Sequence, residues 1–275
     1  MDDLVTIERD GHVATMTMRR PGARNAQDTA LIDALDAAFA ECGADDGVHV
    51  VILAGAGPVF SAGHDLKELA VGDGSEELLQ RRSTPEGRLR HEQEMYVDRC
   101  LAIAEFPKPT IARVQGAAIA AGLMLACMCD LIVAADDAVF QNPVLRMTGA
   151  GVELLVEPWE LGARKAKEFL FTGDPIDATE AWRLGMVNRV FPADRLEDET
   201  MALAQRIAAM PPVTVALVKR SVNKTFELMG KRDALDYHFM VHQFAHDTAT
   251  AQEALARRRE KGSVRDIVAE RDRAF

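Results

Sequence analysis

Apolar and polar positions alternate with a period of two at the start of the chain. Val5-Thr6-Ile7-Glu8 and Val13 to Met18 flank an Asp10-Gly11 turn, which predicts a hairpin. The period then lengthens. Leu31, Leu35 and Phe39 recur at helical spacing behind Asp28, a residue suited to cap a helix over Thr29 to Glu41. Val48 to Leu53 is a nearly continuous apolar run, as in a strand buried on both faces. This β, α, β order predicts parallel pairing. Further strands are expected at Thr110 to Val114, Leu131 to Ala134 and Met186 to Phe191. Helices are expected at Glu92 to Glu105, Leu123 to Met128, Trp159 to Phe171 and Asp177 to Arg183. From Asp194 onward the pattern is helical only: Arg195 to Met210, Val213 to Met229 after Pro211-Pro212, and Lys231 to Arg259. The polar stretch Val71 to Arg90 has no clear period and predicts a surface loop or irregular helix. An α/β core over residues 1–193 with a helical region over 194–275 follows.

Two segments share one form, a strand that enters a helix through a run of minimal side chains. One is Gly55 to Leu69, the other Val114 to Asp130, where Gly116, Ala117, Ala118, Ala120, Ala121 and Gly122 cluster. Small residues let backbones approach closely. The first N–H groups of such a helix lack intrahelical partners and lie at the positive end of its dipole, where a developing anion can be held. Tight packing of the helix explains the same composition, and both readings stay open here.

Composition narrows the function. The 275 residues are 48% hydrophobic and 27% charged, ordinary for a globular protein, and the net charge of −11 disfavours nucleic acid or an anionic membrane as partner. No uncharged apolar run is long enough to span a bilayer, and the acidic amino end resembles neither a signal nor a transit peptide. Four cysteines in apolar contexts predict reduced thiols and a cytoplasmic location. Cys127 and Cys129 point about 200° apart on a helix and make poor co-ligands, so no metal site is expected.

Four pieces, in order, carry a resemblance: Arg24-Asn25-Ala26, F-S-A-G-H-D-L-K-E-L at 60–69, Q-G-A-A-I-A-A-G-L-M-L-A-C-M-C-D at 115–130, and F-T-G-D-P-I-D-A-T-E-A-W-R-L-G-M-V-N-R-V at 171–190. With them the chain resembles the enoyl-CoA hydratase/isomerase (crotonase) superfamily over roughly residues 4–230. The resemblance implies a spiral of β-β-α units followed by helices that build a homotrimer or a dimer of trimers. It implies an acyl-CoA thioester as partner, with coenzyme A arriving in the substrate and no other cofactor. The thioester oxygen is then held by two backbone N–H groups, at His64 and Ala121. Arg24, Ala62, His64, Asp65, Leu66 and Lys67 fall at the coenzyme A-binding positions, and Asp65 is expected to cap the short helix after it.

The chain departs from the family pattern where protons move. The two glutamates of family hydratases align with Met124 and Val144, which cannot transfer a proton. Glu153, in G-A-G-V-E-L-L, is the candidate replacement, and burial is expected to raise its pKa toward a useful range. A helix-start carboxylate explains it equally well, and Glu157 is the next candidate. Three outcomes follow: a hydratase/isomerase-type enzyme with a non-standard acid/base residue, a catalytically inactive acyl-CoA-binding protein, or a CoA-thioester hydrolase. Met16, Met124, Met147 and Met186 are candidate linings for an acyl chain.

Overall fold

The computed structural model describes residues 3–69, 76–147 and 149–261. Nine strands and twelve α-helices alternate along them. The strands are β1 (Val5–Asp10), β2 (Val13–Met18), β3 (Val50–Gly55), β4 (Thr110–Val114), β5 (Ala117–Ile119), β6 (Leu131–Ala135), β7 (Val139–Gln141), β8 (Ile176–Asp177) and β9 (Arg189–Phe191). The first helices are α1 (Thr29–Ala44), α2 (Leu66–Leu69), α3 (Glu76–Arg81), α4 (Pro85–Glu92), α5 (Asp98–Ala104) and α6 (Ala121–Met128). Then come α7 (Glu157–Thr172), α8 (Ala178–Leu184), α9 (Leu196–Ala208), α10 (Pro212–Leu228), α11 (Lys231–His246) and α12 (Ala249–Lys261).

A six-stranded sheet runs β1-β2-β3-β4-β6-β9, and β5-β7-β8 form a second, smaller sheet. Only the β1–β2 hairpin is antiparallel in the larger sheet; the four remaining pairs are parallel. Strand β3 is buried at every residue, as its unbroken apolar run requires. Its side chains alternate between two cores. Val51 and Leu53 pack with α1, α5 and α6, whereas Val50 and Ile52 pack with Leu196, Ala204 and Ala208 of α9. Each such side chain contributes about 1.5–3 kcal/mol of burial. The helical segment after Asp194 is therefore joined to the sheet through α9 and is not a separately packed layer.

Four expectations change. The stretch 71–90, read as loop, holds α3 and α4 in its described part, with Thr84 Oγ1 accepting from Gly87 N (3.1 Å) and Pro85 in the first turn. Residues 70–75 lie outside the described residues. The helix expected from Glu92 is α5 continued backwards through a π-helical turn, Gln93–Val97, into α4. The long helix expected to Arg259 breaks at Asp247-Thr248, because Thr248 Oγ1 accepts from Ala251 N and caps α12. Finally, β5, β7 and β8 are strands too short to show a period.

Candidate active site

Two parallel bridges bring the predicted donor loops together. The first pairs Gln27 with His64: Gln27 N donates to Gly63 O (2.8 Å) and Asp65 N to Gln27 O (2.9 Å). This pattern passes over the N–H of His64 itself. The second pairs Ser61 with Ala118, through Ser61 N to Ala117 O and Ile119 N to Ser61 O. It lays residues 61–63 along β5, directly before α6. The N–H of Ala121 opens α6, so no carbonyl one turn earlier can receive it. Among the described residues, neither N–H has an acceptor.

The small side chains hold this arrangement. A Cβ on Gly122 would lie 2.4 Å from Ser61 O, and one on Gly63 would lie 2.7 Å from Ile119 O and 3.2 Å from Ala121 N. Close packing and free N–H groups are thus the same feature, since the first makes the second adjacent. Ala120 carries φ 51° and ψ −114°, a conformation costing on the order of 1–3 kcal/mol. Its N–H to Gln141 O (2.8 Å) helps to pin it. Asn25 fixes the other loop. Fully buried, it donates through Nδ2 to the carbonyls of Ala56 and Val59 (both 2.9 Å) and Phe60 (3.1 Å).

Of the residues expected at the coenzyme A positions, Arg24 meets Ala62 directly, Ala62 N donating to Arg24 O (3.0 Å). Leu66 and Lys67 are exposed beside them. Asp65 Oδ1 accepts from Lys67 N (3.0 Å), as expected of a cap, and its Oδ2 pairs with Arg20.

Glu153 lies in the turn-rich segment before α7, not at a helix start. Its Oε2 is 3.0 Å from His64 Nε2, and the two side chains are 5% and 11% exposed. The expected rise in its pKa is overturned. Burial pushes the carboxyl up, but His64 and then His242 outweigh burial and draw it down to about 2. The neighbour on the far side is His242 of α11, whose Nε2 lies 3.9 Å from Glu153 Oε1 and 3.2 Å from Glu92 Oε2. His242 Nδ1 donates to Gly151 O (3.0 Å). Its Nε2 also lies 3.1 Å from His246 Nε2, and a positive charge on the ring would be held by the two carboxylates it faces. Burial opposes that charge, but Glu92 and Glu153 raise its pKa. Arg82 Nη2 (2.9 Å) and Gln243 Nε2 (2.5 Å) complete the shell of Glu92. Glu92, His242 and His246 could by distance share a metal ion, since their ligand atoms lie within 4.8 Å of one another. Both Glu92 oxygens already accept hydrogen bonds, from Arg82 and Gln243, and His242 Nε2 is shared between Glu92 and His246.

A cavity of about 250 Å³, lined mainly by apolar side chains of α1, α5 and the π-helical turn, also has Gln27, His64, Tyr96 and Met124 in its wall. Of the candidate methionines only Met124 lines it; Met16 is sealed in the core. The Tyr96 ring packs against His64, centroids 4.0 Å apart and planes inclined by 32°. Glu157 is buried, bonded to Asn142 Nδ2 (2.6 Å), and not among the lining residues; burial raises its pKa. The four cysteines are free and buried.

The family described as Enoyl-CoA hydratase/isomerase matches residues 8–265. The chain belongs to the enoyl-CoA hydratase/isomerase family. Among its relatives is a Mycobacterium tuberculosis protein named "Putative enoyl-CoA hydratase EchA13", 44% identical over 254 residues, which cover 86% of this chain and 78% of that protein. The mouse "Enoyl-CoA hydratase domain-containing protein 3, mitochondrial" is 32% identical, over 90% of this chain and 78% of that one. A crystal structure of an enoyl-CoA hydratase/isomerase from Xanthobacter autotrophicus Py2 superposes with a TM-score of 0.89 at 32% identity, covering 99% and 98% of the two chains. The mixed α/β architecture with carboxy-terminal helices is thus the fold of this enzymatic family, which acts on acyl-CoA thioesters. Glu92, His242 and Arg82 were missed from sequence. Glu92 and His242 sit on helices and Arg82 in the turn after α3, all among ordinary charged residues, and no motif marks them.

Proposed function

We propose that the protein is an acyl-CoA enzyme that forms and quenches a thioester enolate. The unpartnered N–H groups of His64 and Ala121 carry this reading. Two adjacent donors can hold the thioester oxygen, and they hold it more strongly as it gains charge; each is worth on the order of 3 kcal/mol in the transition state. The apolar cavity beside them suits an acyl chain, and Arg24 and Lys67 are exposed cations for the phosphates of coenzyme A. No cofactor beyond the substrate's own coenzyme A is required.

Met124 and Val144 favour a second reading, an acyl-CoA-binding protein without turnover. Assays on 2-enoyl-, 3-enoyl- and saturated acyl-CoA esters separate the two. Proton exchange or double-bond migration with any of them supports the enzyme, whereas tight calorimetric binding with no turnover supports the second reading.

We further propose a homo-oligomer, a trimer or a dimer of trimers. No residue of the 17-residue α10 is buried, although Val213, Leu217, Val218, Val222 and Phe226 recur along it at helical spacing. Tyr237, Met240 and Phe244 of α11 are exposed as well. An apolar surface of this extent on a lone chain calls for a partner.

A further inference from the structure

With Met124 and Val144 inert, the enolate has no evident proton carrier, and the buried carboxylates do not supply one directly. One oxygen of Glu153 is taken by His64, and the other faces His242. Glu157 is enclosed with Asn142, away from the cavity wall. What Glu153 does hold is an imidazole that lines the cavity.

We propose that the His64 side chain is the proton carrier of this site, and that Glu153 is its positioning residue. The inference rests on the reading that the thioester oxygen binds at the His64 and Ala121 N–H groups. An ionised carboxylate can only accept, so His64 Nε2 carries the hydrogen of the 3.0 Å bond to Glu153. That fixes the tautomer. In neutral His64 the free lone pair is then on Nδ1, which is buried and has no hydrogen-bond partner among the described residues. Tyr96 packs against the ring and limits its rotation. Nucleophile-and-base dyads in unrelated enzymes use the same division of labour, with one ring nitrogen held by a carboxylate and the other left to move a proton.

The backbone of His64 would hold the oxygen while its side chain handles the proton on the adjacent carbon. Nδ1 takes a proton from Cα; the C–H electron pair becomes the enolate, whose charge rests on the thioester oxygen. Return of the proton to Cα completes exchange. Return to Cγ of a 3-enoyl ester completes a shift of the double bond from the 3,4 to the 2,3 position. Both outcomes conserve atoms and electrons and need no co-reactant. Glu92, held by Arg82 and Gln243, in turn holds His242 behind Glu153. The segment 151–153 is tied to α11 by His238 Nε2 to Val152 O (2.8 Å) and by His242 Nδ1 to Gly151 O.

The test uses His64→Gln, which keeps the backbone N–H and offers Glu153 an amide donor, and His64→Ala, which leaves room for added imidazole. Butyryl-CoA and 3-hexenoyl-CoA are followed in D2O by NMR, with binding measured by calorimetry. Both variants should bind within about threefold of wild type and lose 10²- to 10⁴-fold in α-proton exchange, and imidazole should restore part of the exchange in His64→Ala. Histidine-selective ¹⁵N spectra of the wild type should show His64 as the Nε2–H tautomer, and Glu153→Gln should lose that state together with the exchange. Wild-type exchange rates in His64→Gln and His64→Ala, or an Nδ1–H tautomer in the wild type, would overturn the proposal and leave the oxyanion reading standing. Wild-type protein that binds the esters without exchange overturns it in favour of the binding protein. Wild-type protein that binds neither ester overturns the thioester reading itself.

Discussion

Gly63→Ala is the sharpest perturbation of the proposed donor pair. Gly63 sits at φ +88°, where a residue with a Cβ costs roughly 1–2 kcal/mol. The new methyl carbon would start 2.7 Å from Ile119 O, and restoring a tight but real contact moves the 61–63 segment and the β5–α6 turn apart by roughly 0.5 Å. Such overpacking adds roughly 1–3 kcal/mol, for a total near 2–5 kcal/mol. The displacement falls between the N–H of His64 and the N–H of Ala121, which lies 3.2 Å from the added carbon. A misplacement of about 1 Å costs on the order of 10²-fold, so half of that predicts a 10- to 100-fold loss of α-proton exchange on butyryl-CoA. Gly57→Ala is the matched control: φ is +79° and the clash, at 2.8 Å, is with Pro21 Cβ on the far side of the loop. It should lower the melting temperature similarly and leave exchange unchanged. Equal exchange in Gly63→Ala and wild type, or an equal loss in the Gly57 control, would refute the geometry.

Acid should weaken the fold in a defined window. His91 and His246 are both held down to about 4, by burial first and then by Arg82 and His242 respectively. A histidine kept neutral in the folded state contributes stability above its unfolded value near 6.5 and loses it as pH falls toward 4. His242 is raised instead, so its contribution is complete below 6.5 and fades only as pH rises. Melting curves should therefore fall steadily from pH 6.5 to 4, with Glu153 adding a further loss between about 4.5 and 2; a flat profile contradicts the burial of these groups. Leu217→Arg and Phe226→Arg, on the exposed face of α10, should convert the oligomer to monomer by light scattering, and an already monomeric wild type would remove that proposal. Asn25→Ala strips three carbonyls of a shared donor and places a methyl at φ 50°. It should cost about 2–4 kcal/mol in denaturant unfolding, and a loss under 1 kcal/mol would show that the loop is held otherwise.

The strands of the large sheet and both small-residue turns were legible because each depends on local chemistry: buried apolar runs, capping residues, and small side chains at close approaches. The charged cluster was not. His64 and Glu153 meet across 89 residues, and Glu92 and His242 across 150. No period or spacing records such a meeting. Glu153 was visible as a carboxylate between apolar neighbours, but its burial alone suggested a raised pKa, and the sign reversed once His64 and His242 were placed beside it. The short strands β5 and β7 were hidden by their three-residue length, β5 by its alanines as well, and α4 by the polar residues around its Thr84-Pro85 start.

A crystal structure with bound butyryl-CoA, or with a non-reactive ketone analogue that keeps the carbonyl oxygen of the thioester, tests the central claim most directly. The thioester oxygen should lie about 2.7–3.1 Å from both the His64 and Ala121 backbone nitrogens, with the acyl chain entering the cavity walled by Met124 and Tyr96. An oxygen more than about 3.5 Å from either nitrogen, or a ligand bound elsewhere, would contradict it.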